Sequence, residues 1–226
     1  AERELSTLLS LAGGSPSCRV HAGADRHLAA PDAPVESPAS RFLVEAARAP
    51  REGPLYVAAI GCATNVASAL LLDPEIVSRL VIVWVAAYPS FWPLRNASYN
   101  LAQDVHAARV LLDSGVPLVY VPGYYVAEEL RVTRAETAQH LAGRGALAEH
   151  LDALHEWHER RGSGPVQSNV LWDLAPVAWI LEPAWFTTHR VATPRLSDEL
   201  RWVDGDVSRP LMVEALDVDR DAIFSD

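Results

Sequence analysis

Three short stretches of the chain are apolar almost without interruption: Pro54–Ile60, Val81–Ala87 and Pro117–Val121. Uninterrupted runs of this length, bounded by Gly, Pro and Ser, predict strands buried on both faces, as in a parallel sheet. Between them the apolar period changes from continuous to helical. Ser37-Pro38 supplies an N-cap and a first-turn proline ahead of Phe42, Leu43, Ala46 and Ala47, which predicts a helix. Thr64-Asn65 opens another, broken at Asp73-Pro74-Glu75, and a third runs from Asp104 to Leu112 with a stop at Ser114-Gly115. Strand and helix alternating through short connections predict an α/β fold: an open, mostly parallel, Rossmann-like sheet with helices on both faces.

The flanking regions follow other patterns. Leu5, Leu8, Leu9 and Ala12 recur at helical spacing before Gly13-Gly14, and Cys18–Ala22 reads as a short strand. Thr133 and Glu136 form a capping box for a helix through Leu141. Ala146–Arg161 is a long charged helix, and Val170–Leu181 is apolar nearly all round, which predicts a buried helix. The tail from Arg201 to Val218 reads as two short strands. No internal repeat or linker interrupts residues 1–226, which read as one domain.

Charge and composition narrow the partners. Lys and Arg total 19 against 29 Asp and Glu, a formal charge of −10. All the cations are Arg. This balance argues against a nucleic-acid partner, since backbone phosphates require clustered cations. No apolar run is long enough to span a bilayer, and the opening Ala-Glu-Arg-Glu lacks the apolar core of a signal peptide. Two cysteines, Cys18 and Cys62, make neither a disulfide framework nor a zinc site, so a reduced cytoplasmic protein is expected.

An open parallel sheet places ligands beyond the carboxyl ends of its strands, so the loops after Ile60, Ala87 and Val121 are the ones to examine. The second of these carries Phe91, Trp92, Arg95, Asn96, Ser98, Tyr99 and Asn100. Amides, a hydroxyl and aromatics suit a polyhydroxylated ligand with a flat ring; they suit equally a loop that packs its aromatics on the core. Trp172-Asp173 opens the Val170–Leu181 segment. A carboxylate there is either a helix cap or a ligand of a hard cation. His155 and His158 are three apart on the charged helix, which is not the zinc-protease spacing and reads as a solvated face. Gly61–Asn65 lacks the Gly-x-Ser-x-Gly frame, and neither a P-loop nor a Gly-x-Gly-x-x-Gly fingerprint is present.

Taken in order, these pieces resemble the inosine/uridine-preferring nucleoside hydrolases. The similarity runs through Val20-His21-Ala22-Gly23-Ala24-Asp25, Ala59-Ile60-Gly61-Cys62-Ala63-Thr64-Asn65, Asp73-Pro74-Glu75, Ser98-Tyr99-Asn100, Asp104-Val105-His106-Ala107-Ala108, Ser114-Gly115-Val116-Pro117 and Trp172-Asp173. The resemblance implies hydrolysis of the N-glycosidic bond of a ribonucleoside around a bound Ca²⁺, with a metal-held water. It implies Asp173 and the backbone carbonyl of Trp84 as metal ligands, and Asn100 on the ribose, helped by Asn96 and Ser98. Trp172 stands where many members carry a histidine acid. An indole is no proton donor at neutral pH but stacks on a base, so a purine nucleoside is the expected substrate and purine metabolism the setting. A homo-oligomer is expected from the same resemblance. The family's aspartate-rich N-terminal strand and helix have no counterpart in this chain. The alternative is a non-catalytic nucleoside- or sugar-binding relative.

Overall fold

The computed structural model describes residues 2–14, 18–161, 168–203 and 206–225. Of His158 only the backbone is described; its side chain lies outside the described part. In chain order the elements are α1 (Glu2–Leu11), α2 (Pro38–Arg48), β1 (Leu55–Ala59), α3 (Thr64–Leu72), β2 (Leu80–Ala86), α4 (Tyr99–Ala102), α5 (Val105–Asp113) and β3 (Leu118–Pro122). They continue as β4 (Arg131–Thr133), α6 (Arg134–Leu141), α7 (Ala146–Arg161), β5 (Ser168–Val170) and α8 (Leu174–Leu181). Last come β6 (Phe186–Ala192), β7 (Arg195–Leu196), β8 (Trp202–Val203), β9 (Leu211–Val218) and α9 (Arg220–Ser225).

These elements form two compact units, residues 1–22 with 131–171, and residues 23–130 with 172–226. In the smaller unit β4 and β5 pair antiparallel. The Thr133 side chain accepts from the Glu136 amide while Glu136 returns to the Thr133 amide, the expected capping box of α6. Arg134 engages the Asp152 carboxylate with both terminal nitrogens, and His150 lies 2.8 Å from Glu4. His155 is buried, its Nδ1 2.8 Å from the Thr137 hydroxyl. It therefore belongs to the packing of α7 rather than to the solvated face expected of it.

The larger unit holds a five-stranded sheet in the order β1-β2-β3-β9-β6. The first four strands are parallel; β6 is antiparallel to β9. Both faces of β2 and β3 are covered, as their uninterrupted apolar runs require, but β1 leaves Tyr56 and Ala58 exposed, against the burial on both faces expected of Pro54–Ile60. Ile82 and Trp84 of β2 and Tyr120 of β3 pack with Val66 and Leu70 of α3, Leu111 of α5 and Ala47 of α2. Their neighbours Val83, Val85, Val119 and Val121 face the other way, against Ala175 and Ala178 of α8 and Phe186 and Ala215 of the sheet.

Buried polar side chains tie the connections to this sheet. Asp104 caps α5 by accepting from the Ala107 amide at 2.9 Å, and also accepts from the Leu28 amide and the Thr64 hydroxyl at 3.1 and 2.6 Å. Asn65 accepts from the Ala24 amide and the Ser37 hydroxyl at 2.9 and 3.0 Å, which holds residues 23–37 against α3.

Some expectations need correction. Cys18–Ala22 forms no strand. The segment Val170–Leu181 is helical only from Leu174, because Val170 is taken up by pairing with β4. β6 was not anticipated: Thr187, Thr188, His189 and Arg190 interrupt its apolar pattern, and its pairing with β9 decides its structure.

Candidate active site

A cleft of about 410 Å³ opens at the carboxyl ends of β1, β2 and β3, within the larger unit. Its floor is Ile60, Val85, Ala86 and Ala87, one wall is Ser98, Tyr99 and Asn100, and the other is Gly123, Tyr124, Trp172 and Asp173. Each strand end supplies its residues because the sheet stops there and the chain must turn. At Ala87 the turn needs φ of 53°, a left-handed conformation costly for any side-chain-bearing residue. It is held on both sides: the Ala87 amide donates to the Ser98 hydroxyl at 2.9 Å, and its carbonyl accepts from the Tyr124 amide at 3.2 Å.

Asn100 is fixed across two strands. Its Nδ2 donates to the carbonyl of Val85 at 2.8 Å and, more weakly, to that of Ile60 at 3.4 Å. The amide oxygen has no partner among the described residues, so it is free to accept from a ligand hydroxyl. Asp173 sits at the start of α8 but caps nothing. No described donor or cation meets its carboxylate. The residue as a whole is exposed, yet local desolvation in the cleft pushes its pKa up. An unpaired carboxylate whose charge is disfavoured by local desolvation makes Asp173 a candidate functional residue of the cleft. It is also the only charged side chain among the described residues that line the cleft.

The aromatic side of the cleft is layered. Trp172 meets Tyr124 edge-on, with centroids 5.7 Å apart and planes at 67°. Behind Tyr124 lies Tyr88, stacked on it at 4.3 Å, and Trp92 stacks on Tyr88 at 4.7 Å.

Four of the six residues singled out from the sequence, Ser98, Asn100, Trp172 and Asp173, are brought together here. Two do not line the cleft. Trp84 lies inside β2, in register with Ala59 and Tyr120, fully buried, and its indole nitrogen donates to the Gly61 carbonyl at 3.0 Å. The backbone that reaches the cleft begins one residue later, at Val85. Asn96 is also fully buried; it accepts from the Tyr88 amide at 3.2 Å and braces the loop from beneath. Conversely, Ile60 and Tyr124 went unrecognised, although both stand in loops that strand-end placement had flagged.

Calcium takes six to eight oxygen ligands. The cleft brings one carboxylate, and no cluster of three or more His, Cys, Asp or Glu side chains occurs among the described residues. These residues alone do not fit a calcium ion.

Known proteins were compared with this chain. A family model described as inosine-uridine preferring nucleoside hydrolase matches residues 3–223. Among curated relatives, the pyrimidine-specific ribonucleoside hydrolase RihA of Citrobacter koseri is 32% identical over 143 residues, covering 60% of this chain and 45% of that protein. The non-specific ribonucleoside hydrolase RihC of Salmonella schwarzengrund is 34% identical over 139 residues, covering 59% and 43%. The aligned parts thus span about half the length of these relatives. Among solved structures, a plant nucleoside hydrolase superposes with a TM-score of 0.69 at 19% identity, over 85% of this chain and 66% of that one. A purine-preferring ribonucleoside hydrolase from Gardnerella vaginalis gives 0.64 at 24%, over 84% and 64%. At these identities the superpositions show a shared fold.

Proposed function

Because the chain belongs to the inosine-uridine preferring nucleoside hydrolase family, we propose that its cleft binds a ribonucleoside for hydrolysis of the N-glycosidic bond to free base and ribose. The observation that carries this reading is the convergence of Asn100, Ser98, Trp172 and Asp173 on one strand-end cleft. A single negative charge and no lining cation suit an uncharged nucleoside better than a nucleotide, whose phosphates call for Arg, Lys or a helix N-terminus.

In this reading the ribose lies against Asn100 and Ser98. The free amide oxygen of Asn100 accepts from a sugar hydroxyl and gains strength as the ring becomes oxocarbenium-like and its hydroxyls more acidic. Trp172 stacks on the base and, its indole N–H being too weakly acidic to protonate a leaving group near neutral pH, aids its departure by dispersion rather than by protonation. The aromatic wall favours the larger surface of a purine, which departs from the pyrimidine specificity named for RihA. Asp173 is assigned as one ligand of the calcium that the family resemblance implies. Its remaining ligands are not supplied by the described cleft residues, and no chemical step is derived through that ion.

The lone carboxylate also favours a second reading, a nucleoside-binding relative without catalysis. Steady-state hydrolysis of inosine, adenosine and uridine by the protein separates the two. Release of base with purine kcat/KM above that for uridine, reduced about a hundredfold by Asn100→Ala, is expected. Binding of nucleosides without turnover would establish the second reading, and a uridine preference would refute the role given to the aromatic wall.

A further inference from the structure

Resting on the nucleoside reading, we infer that Tyr124 is the base-recognition residue of the cleft, its hydroxyl donating a hydrogen bond to a ring carbonyl of the bound base. Trp172 and Tyr124 form a corner, their planes inclined at 67°. A flat base stacked parallel to the Trp172 ring lies inclined at the same 67° to the Tyr124 ring, so base and phenol meet through an edge. Bases differ at their edges, not their faces, so the residue meeting the edge sets the preference. The hydroxyl of Tyr124 has no hydrogen-bond partner among the described residues, and the ring lines the cleft. Phenols that are half-buried ordinarily find a partner; this one is left available to a ligand.

The wall is also prepared in advance. Tyr124 cannot swing back from the cleft, because Tyr88 is stacked behind it at 4.3 Å and Trp92 behind that. Tyr88 is anchored in turn. Its carbonyl accepts from the Tyr120 hydroxyl at 2.7 Å and the Trp202 indole at 3.2 Å, and its amide donates to Asn96. Two residues on, Ser90 donates through its amide and its hydroxyl to the fully buried carboxylate of Glu214, both at 2.6 Å. Four buried side chains thus hold Tyr88 and Ser90 in place behind Tyr124, in the same loop that brings Ser98, Tyr99 and Asn100 to the cleft. Such rigid support is what a recognition group needs and a packing aromatic does not. Tyr88 is by the same geometry a positioning residue.

The test compares Tyr124→Phe with the unaltered protein on inosine and on p-nitrophenyl β-D-riboside, whose leaving group offers no ring carbonyl. The ratio of kcat/KM for inosine to that for the p-nitrophenyl riboside should fall about tenfold, the worth of one hydrogen bond to an otherwise unpaired group. Tyr88→Ala, with folding checked by melting temperature, should lower the same ratio by loosening the wall. An unchanged ratio in Tyr124→Phe, with both substrates still cleaved, overturns the inference and leaves the nucleoside reading standing. If the unaltered protein cleaves neither substrate and binds no nucleoside, the reading fails and the inference with it.

Discussion

Asp173 and Ala87 each hold a local conformation or charge state that costs stability, and each lies in the cleft. Burial raises the Asp173 pKa, so the folded protein holds that proton more tightly than the unfolded chain does. The carboxylate therefore withdraws stability above the raised folded value, and the penalty disappears as pH falls below the ordinary carboxylate range, near 4. Asp173→Asn removes the charge, so its melting temperature should exceed that of the unaltered protein at pH 7, with the gap closing towards pH 4. A lower melting temperature at pH 7 would show that the carboxylate has a stabilising partner after all. Ala87 presents the same situation in backbone form. Relief of its left-handed strain, less the greater chain entropy of glycine, should make Ala87→Gly more stable by about 0.5–1 kcal/mol. That corresponds to a rise of about 1–4 °C for a chain of this size. Sites that pay stability for geometry in this way are where function is found.

Among the elements, α5 shows how a single capping residue can hold several segments. Asp104 serves the Ala107 amide, the Leu28 amide and the Thr64 hydroxyl together, at 2% exposure. Asp104→Ala should cost about 3 kcal/mol, a lost cap plus two stranded buried donors, read as a shift in the urea midpoint at unchanged slope. A cost below about 1 kcal/mol would mean that water replaces the carboxylate. The elements of the parallel sheet were legible from sequence because continuous apolar runs and Ser, Thr or Asp caps have local causes. β6 was not, since a Thr-Thr-His-Arg core becomes a strand only through β9. The cleft was legible to a similar degree. Ser98 and Asn100 stand out by loop position and residue chemistry, whereas Trp172 and Asp173 were placed there by the family resemblance. Trp84 was named on the family resemblance, whereas in a strand buried on both faces no polar alternation indicates which backbone lines the cleft, and that backbone begins at Val85. Tyr124 was hidden for a different reason: its role depends on Tyr88 and Trp172, which are distant in sequence.

For the whole molecule, β1 is paired on one side only among the described residues. Along that strand Tyr56 is 47% exposed and Ala58 is exposed, so an unpaired parallel edge coincides with a partly bare apolar face. Edges of this kind recruit further strands. This 226-residue polypeptide should accordingly self-associate with rising concentration in sedimentation experiments, and Tyr56→Lys should suppress the association. A monodisperse monomer at all concentrations would contradict this.

We propose that the strand-end cleft holds a nucleoside for cleavage and that Asp173 is indispensable there. The most direct measurement is release of base from inosine, with calcium present, by the protein and by its Asp173→Asn variant, both shown to be folded. Turnover by the first is expected, with a loss of more than about a hundredfold in the second, beyond what removing a group that merely supports a ligand produces. Turnover of similar rate in both would contradict it, because the one unpaired carboxylate in the cleft would then have no part in the chemistry.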